Sequence, residues 1–251
     1  METVSIHKPK VVVIGSCNTD MVVKANRLPV PGETVLGGTF YMNPGGKGAN
    51  QAIAASRLGA EVTFISKIGY DLFGLQALEI YKSEKINTEF IFTDQKSPSG
   101  VALISVDSFG ENSIIVAPGA SRSLSIEDIN KAEEKIREAD IILMQLEVPI
   151  ETAEYAATIA NKYNKKVILN PAPASTLSNA FLRNIHTILP NRIEAEMLSG
   201  IKVMDIESAH RAAKTIGDKG IENVVITLGK DGAYVKEKDK YAMIPAKQVE
   251  T

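Results

Sequence analysis

Ile141-Ile142-Leu143-Met144-Gln145-Leu146 runs without a charge, and beyond Glu147-Val148-Pro149 the segment from Ile150 to Tyr163 returns apolar residues at helical spacing. An uncharged run of this length reads as a strand buried on both faces, and a helix directly after it is the crossover to a parallel neighbour. The same unit recurs in both directions along the chain. Strands are expected at Lys10 to Gly15, Glu61 to Lys67, Lys166 to Asn170, Thr187 to Leu189 and Asn223 to Thr227. Helices are expected at Gly48 to Leu58, Leu72 to Lys82, Ile126 to Arg137, Ile193 to Leu198 and Ile206 to Lys219. This alternation predicts an α/β layered fold with a central, mostly parallel sheet and helices on both faces.

Two stretches interrupt the rhythm. Met21 to Tyr41 and Val101 to Val116 are β-rich, with Pro29, Pro31, Gly32 and Gly110 as turn residues, and carry no helix. They predict antiparallel strands that pair across the chain into one small sheet, too thin to stand alone. A lid or an oligomer contact is its natural use. No linker separates two domains, so residues 1–251 are expected to form one α/β domain with a discontinuous lid from about 20–44 and 101–116.

Composition removes several function classes. The 251 residues are 44% hydrophobic and 23% charged, which excludes a disordered, collagen-like or coiled-coil chain. With 28 Lys and Arg against 30 Asp and Glu, there is no basic excess for a nucleic-acid backbone or an anionic membrane. No apolar run approaches the ~18 residues of a spanning helix. Cys17 is the single cysteine, so an internal disulfide and a Cys-based zinc site are excluded. Met1-Glu2-Thr3-Val4 lacks the basic start of a secretory leader, and a cytoplasmic location is expected.

Ligands of open parallel sheets bind beyond the carboxyl ends of the strands. There the first strand leads into Gly15-Ser16-Cys17-Asn18-Thr19-Asp20, whose single glycine cannot form a dinucleotide turn. Asn18 and Asp20 form either an Asx-turn leaving the strand or an amide and carboxylate pair for vicinal hydroxyls. Pro44-Gly45-Gly46-Lys47-Gly48-Ala49-Asn50-Gln51-Ala52 opens a helix, and its glycines allow close approach to free N–H groups. It is not a Walker A loop, because Gly48 follows Lys47 where a Ser or Thr would hold magnesium. Glu147 is either a charge at the start of the next helix or a hydroxyl ligand. Asn191-Arg192-Ile193-Glu194 has capping-box spacing, yet the same pair could organise a magnesium hydration shell. Thr227-Leu228-Gly229-Lys230-Asp231-Gly232 contains an Asp-Gly hairpin signal placed where a nucleotide could lie. His7, His186 and His210 share no spacing and take no role, and Cys17 reads as a packing residue.

Taken together, these segments resemble the PfkB family of carbohydrate kinases and, within it, the ribokinases. Gly45 to Ala52, with Gly59 and Gly69 after it, is similar to the family's amino-terminal signature. Gly15-Ser16 with Asn18 and Asp20, Met144 to Glu147, Asn170-Pro171-Ala172-Pro173-Ala174, Asn191 to Glu194 and Thr227-Leu228-Gly229 match in the same order. The resemblance implies a ribokinase-like layered fold with a small β-sheet lid that also forms a homodimer contact. It implies transfer of the γ-phosphoryl group of ATP to the 5-hydroxyl of D-ribose, with Mg2+ and a monovalent cation, usually K+, as cofactors. By position, Asn18, Asp20, Gly46, Lys47, Asn50 and Glu147 would hold the sugar. Asn191, Thr227 and Gly229 would contact nucleotide, and Glu194 would act on Mg2+ through water. The family's second signature, a Gly-Ala-Gly-Asp turn carrying the anion hole and the catalytic base, has no match, and Gln248-Val249-Glu250-Thr251 resembles the stretch just before it. The catalytic Asp is therefore expected beyond Thr251, and the carboxyl-terminal part of the domain is expected to be absent. Pro44 stands where ribokinases often have an aromatic. The alternatives are a family member acting on another sugar or a nucleoside, and a shortened sugar-binding protein without catalysis.

Overall fold

A computed structural model describes residues 8–247. His7 and the segment Gln248 to Thr251 lie outside the described residues. In chain order the first half comprises β1 (Lys10–Ile14), β2 (Asn18–Lys24), β3 (Thr39–Gly45), α1 (Lys47–Arg57), β4 (Glu61–Gly69), α2 (Leu72–Ser83), β5 (Ile91–Asp94), β6 (Gly100–Val106) and β7 (Asn112–Ala117). A 3-10 turn (Gly119–Ser123) then leads to α3 (Ile126–Lys131), α4 (Glu133–Glu138), β8 (Ile141–Met144), α5 (Ile150–Lys162), β9 (Lys166–Leu169), α6 (Asn179–Leu182) and β10 (Thr187–Ile188). The chain closes with α7 (Arg192–Ser199), α8 (Ile206–Gly217), β11 (Asn223–Thr227), a 3-10 turn (Gly229–Asp231), β12 (Ala233–Glu237) and β13 (Lys240–Ile244).

The central sheet has nine strands in the order β13-β12-β11-β10-β9-β8-β1-β4-β5, parallel except for the β12 and β13 edge. Period-two alternation divides its apolar residues between two layers. Val12, Ile14, Ile142, Met144, Val167, Leu169, Val224 and Ile226 face the layer built from α3 to α8. There α5 and α8 present Ala153, Ala156, Ala157, Ala160, Ala209, Ala212 and Ala213, all fully buried, so both helices sit close to the strands. On the other face Val11, Val13, Val62, Phe64 and Ile68 meet Ala49 and Ala52 of α1 and Ala77 and Tyr81 of α2. This second layer covers only one half of the sheet. Leu143, Ile168 and Val225, on the same face but beyond α1, are half-buried.

All six expected strands of the main sheet form, while β5, β12 and β13 were not expected. All three are edge or near-edge strands: β5 is only four residues long, and the apolar pattern of β12 and β13 is broken by Lys236, Glu237 and Lys240. The helix expected over Ile126 to Arg137 divides at Ala132, and each piece begins with its own acidic pair, Glu127-Asp128 and Glu133-Glu134, at its amino end. Asp231-Gly232 is not a two-residue hairpin turn: Thr227 pairs with Ala233, and residues 228–232 form a longer loop. The tight turn falls instead at Lys238-Asp239, where Lys238 takes a φ of 51°.

The second sheet has the order β3-β2-β6-β7 and joins the two distant β-rich stretches as expected. It starts earlier than the sequence suggested, at Asn18, and is mixed. β2 and β6 pair in parallel, because both leave the same edge of the main sheet and run outward, whereas β3 and β7 run back. Its base is pinned by Asp71, which accepts from Gly74 N (2.9 Å), Ser99 N (2.7 Å) and Ser99 Oγ (2.7 Å) and so caps α2 while holding the entry to β6.

Candidate active site

Asn18 and Asp20 are not in an Asx-turn. Both lie in β2, two residues apart and thus on one face of the small sheet. The expected turn residues are extended because β2 pairs along its whole length with β3 and β6, and those ladder bonds outweigh a local side-chain turn. The Asp20 carboxylate lies over Gly45, where a Cβ would be 2.0 Å from Oδ1. Among the described residues no donor reaches that carboxylate. Burial and the neighbouring Glu147 charge push its pKa up, against the pull of Lys47. Asn18 is buried, and its Oδ1 has no partner among the described residues.

Opposite them, α1 begins at Lys47, and Gly46 (φ 92°) precedes it with no side chain to cap the helix. Glu147 takes over that task from the loop after β8. Its carboxylate accepts from Lys47 N at 3.0 Å, from the Lys47 ammonium and from Ser16 Oγ. Burial would raise its pKa, but these donors hold it below the ordinary value. Glu147 is thus a helix-start charge, though for α1 and not for the helix that follows it in sequence. Pro149 caps α5 from just outside its first turn. Gly48 lets α1 touch the end of β1, since a Cβ there would sit 2.7 Å from the backbone of Gly15 and Ser16. Ser16 O in turn accepts from Ala49 N (3.0 Å).

Ser16, Asn18, Lys47 and Glu147 line a cavity of about 310 Å³, walled above by Val116 and Pro118 at the end of the small sheet. Lys47 also lines a second cleft of about 620 Å³ that includes Asn191, Glu194 and Thr227. In that cleft the capping box is formed in full. Asn191 accepts from Glu194 N (2.9 Å), and Glu194 accepts from Asn191 N (2.8 Å) and Nδ2 (2.9 Å). Burial raises the Glu194 pKa, against the Asn191 N–H and the Lys47 charge. Thr227 is bridged to Asn191, with Thr227 N donating to Pro190 O at 2.9 Å. Gly229 follows at φ 64° with open space on its side-chain direction. The structure therefore brings Asn18, Asp20, Gly46, Lys47 and Glu147 to one place and Asn191, Glu194, Thr227 and Gly229 to another. Asp20, Gly46 and Gly229 lie beside these clefts and do not line them, and Asn50 is exposed on α1 and lines neither. Ser16 had no assigned role, although its i, i+2, i+4 spacing with Asn18 and Asp20 was a readable signal. Arg122, at the mouth of the smaller cavity, had no such signal.

Residues 8–251 match the pfkB family of carbohydrate kinases. The chain belongs to that family. Among its relatives is the ribokinase of Haemophilus influenzae, 46% identical over 92% of this chain and 76% of that protein. The deoxyribokinase of Salmonella typhi is 36% identical over 95% of this chain and 78% of that protein. A solved structure of Arabidopsis thaliana ribokinase complexed with ribose and ATP superposes with a TM-score of 0.84 at 29% identity, covering 95% of this chain and 78% of that one. The pfkB chain spans about three quarters of the relatives' length. Among its described residues no helix is long and apolar enough to cross a membrane.

Proposed function

We propose that the protein is an ATP-dependent sugar kinase that phosphorylates the 5-hydroxyl of D-ribose. The observation that carries this reading is that Lys47 lines both clefts, so a sugar held by Asn18, Asp20 and the Lys47–Glu147 pair meets a nucleotide held by Asn191, Thr227 and Gly229 at one ammonium group. The Asp20 carboxylate, which no donor among the described residues reaches and whose pKa is raised, is suited to accept from two vicinal hydroxyls, whose protons relieve the cost of its partial burial. The N-terminal N–H groups of α1 and Lys47 favour negative charge between the two ligands, where a transferring phosphoryl group carries it.

Mg2+ bound with ATP would neutralise phosphate charge. Glu194 fits it: two of the carboxylate's roughly four lone-pair positions are taken by Asn191, which leaves the others for metal-bound water. The general base and the anion hole that the family resemblance assigns to a Gly-Ala-Gly-Asp turn have no counterpart in these residues, nor has the monovalent-cation site. The small sheet acts as a lid over the sugar, excluding water from the phosphoryl group. Its other face carries Met21, Met42, Leu103 and Ile115 in one cross-strand row beside Phe40 and Val23, and a homodimer contact would cover it. A cytoplasmic setting accords with the use of ATP.

Calorimetric titration with D-ribose, 2-deoxyribose, fructose and adenosine tests the substrate. Saturable heat is expected from ribose and not from adenosine or fructose. The deoxyribokinase relative makes 2-deoxyribose the competing sugar, and tighter binding of it than of ribose would replace the proposed substrate.

A further inference from the structure

Arg192 lies in a motif whose Asn191 and Glu194 form the capping box, and its guanidinium bonds outside that box. Nη2 donates to Asp231 Oδ2 at 2.8 Å and to Leu228 O at 3.4 Å, and Nη1 donates to Val203 O at 3.3 Å. One side chain thereby ties the amino end of α7 to the loop before α8 and to the 228–232 turn after β11. Within the turn, the other bonds are local: Leu228 N to Gly232 O (2.8 Å), Gly232 N to Gly229 O (3.0 Å) and Asp231 N to Leu228 O (3.4 Å). The bridge between Asn191 and Thr227 holds the strand end but stops before Gly229. Among the described residues nothing lies within 4 Å of Gly229 on its side-chain direction, so packing holds the turn at Leu228, which is buried in the core, and at Gly232, which abuts residues 244–246, but not at Gly229.

We propose that Arg192 is a positioning residue for the nucleotide: acting through Asp231 and the Leu228 carbonyl, it sets the spacing between Asn191 and Gly229. The inference rests on the reading of these residues as the nucleotide side of the site. Sequence distance hid it, because Arg192 and Asp231 are 39 residues apart. The pair is partly exposed, at 32% and 55% of the side chains, and a single exposed ion pair adds little to global stability. A positioning role thus separates cleanly from a structural one.

The test titrates the full chain with a fluorescent trinitrophenyl derivative of ATP, with ribose binding and melting temperature measured alongside. Arg192→Ala is expected to weaken nucleotide binding by about tenfold, the loss of one charge-assisted contact. Ribose affinity should stay unchanged and the melting temperature should move by no more than about 2 °C. Asp231→Arg alone should weaken nucleotide binding similarly, and combining it with Arg192→Asp should recover much of the loss. Parent-like nucleotide affinity in Arg192→Ala overturns the inference. So does an equal loss of ribose and nucleotide binding with a lowered melting temperature, which marks a structural role. Absence of nucleotide binding by the parent chain overturns the kinase reading and the inference together, whereas parent binding with an unaffected variant overturns the inference alone.

Discussion

Asp20 is half-buried beside Glu147, with no donor among the described residues, and its pKa is raised above the ordinary aspartate value. Between the unfolded and folded pKa the native state binds more protons than the unfolded state, so this group lowers stability as pH rises through that interval. Asp20→Asn is therefore expected to raise the melting temperature of the ligand-free protein while weakening ribose binding about 10- to 100-fold, the worth of hydrogen bonds to a charged acceptor. Scanning calorimetry and ribose titration check the two arms. In the parent, ribose affinity should fall on acidification at a pH above the usual aspartate range, because protonation removes the acceptor. Glu147 behaves oppositely. Its lowered pKa stabilises the fold above the unfolded value, and that contribution is lost as pH falls through the folded pKa. Urea denaturation of Glu147→Gln at pH 7 should show a loss of about 1–2 kcal/mol after allowance for solvent screening, shrinking in acid as the parent also protonates.

The contact of α1 with β1 depends on glycine at Gly15 and Gly48, whose backbones meet there. A methyl group at Gly48 meets backbone at 2.7 Å, and no side-chain movement relieves that clash. Gly48→Ala is expected to cost about 1–3 kcal/mol, seen as a shifted urea midpoint with an unchanged m-value. Gly45→Ala instead meets the Asp20 side chain, so its effect should fall on ribose affinity more than on stability. Leu103 is 53% and Ile115 69% exposed in the same cross-strand row. If a second copy covers that row, Leu103→Glu should convert a dimer into a monomer in sedimentation velocity, and a parent that sediments as a monomer with ribose present removes the dimer.

Across the whole molecule, the layer of helices on the α1 face stops short of β8, β9 and β11, and the 620 Å³ cleft opens there. On the proposed function the described residues would bind and orient the ligands, and they include no assigned base or anion hole. A protein ending at Thr251 should hold ribose and nucleotide yet turn over far more slowly than one carrying the additional length its relatives have. A positioned base is worth about 10²–10⁴ in rate, and each anion-hole donor about 10²–10³. A coupled ADP-release assay on both decides, and comparable rates would place the base within these residues.

Local pattern alone determined the six central strands of the main sheet and most of its helices, because an uncharged run between turn residues has few alternatives to burial; the edge and near-edge strands β5, β12 and β13 were not legible in it. It also determined the capping box at Asn191 and Glu194, whose bonds span three residues. The glycine-rich start of α1 was legible for the same reason. What the tertiary structure decided was every relation between segments far apart in sequence. Glu147 caps a helix that begins 100 residues earlier, Asn18 and Asp20 extend because two distant strands pair with them, and Lys47 joins two clefts. Asn50, assigned to the sugar site by motif, is exposed on α1 and lines neither cleft. A motif records which residue types are near one another along the chain, whereas the direction a side chain faces follows from the packing of its element on the sheet.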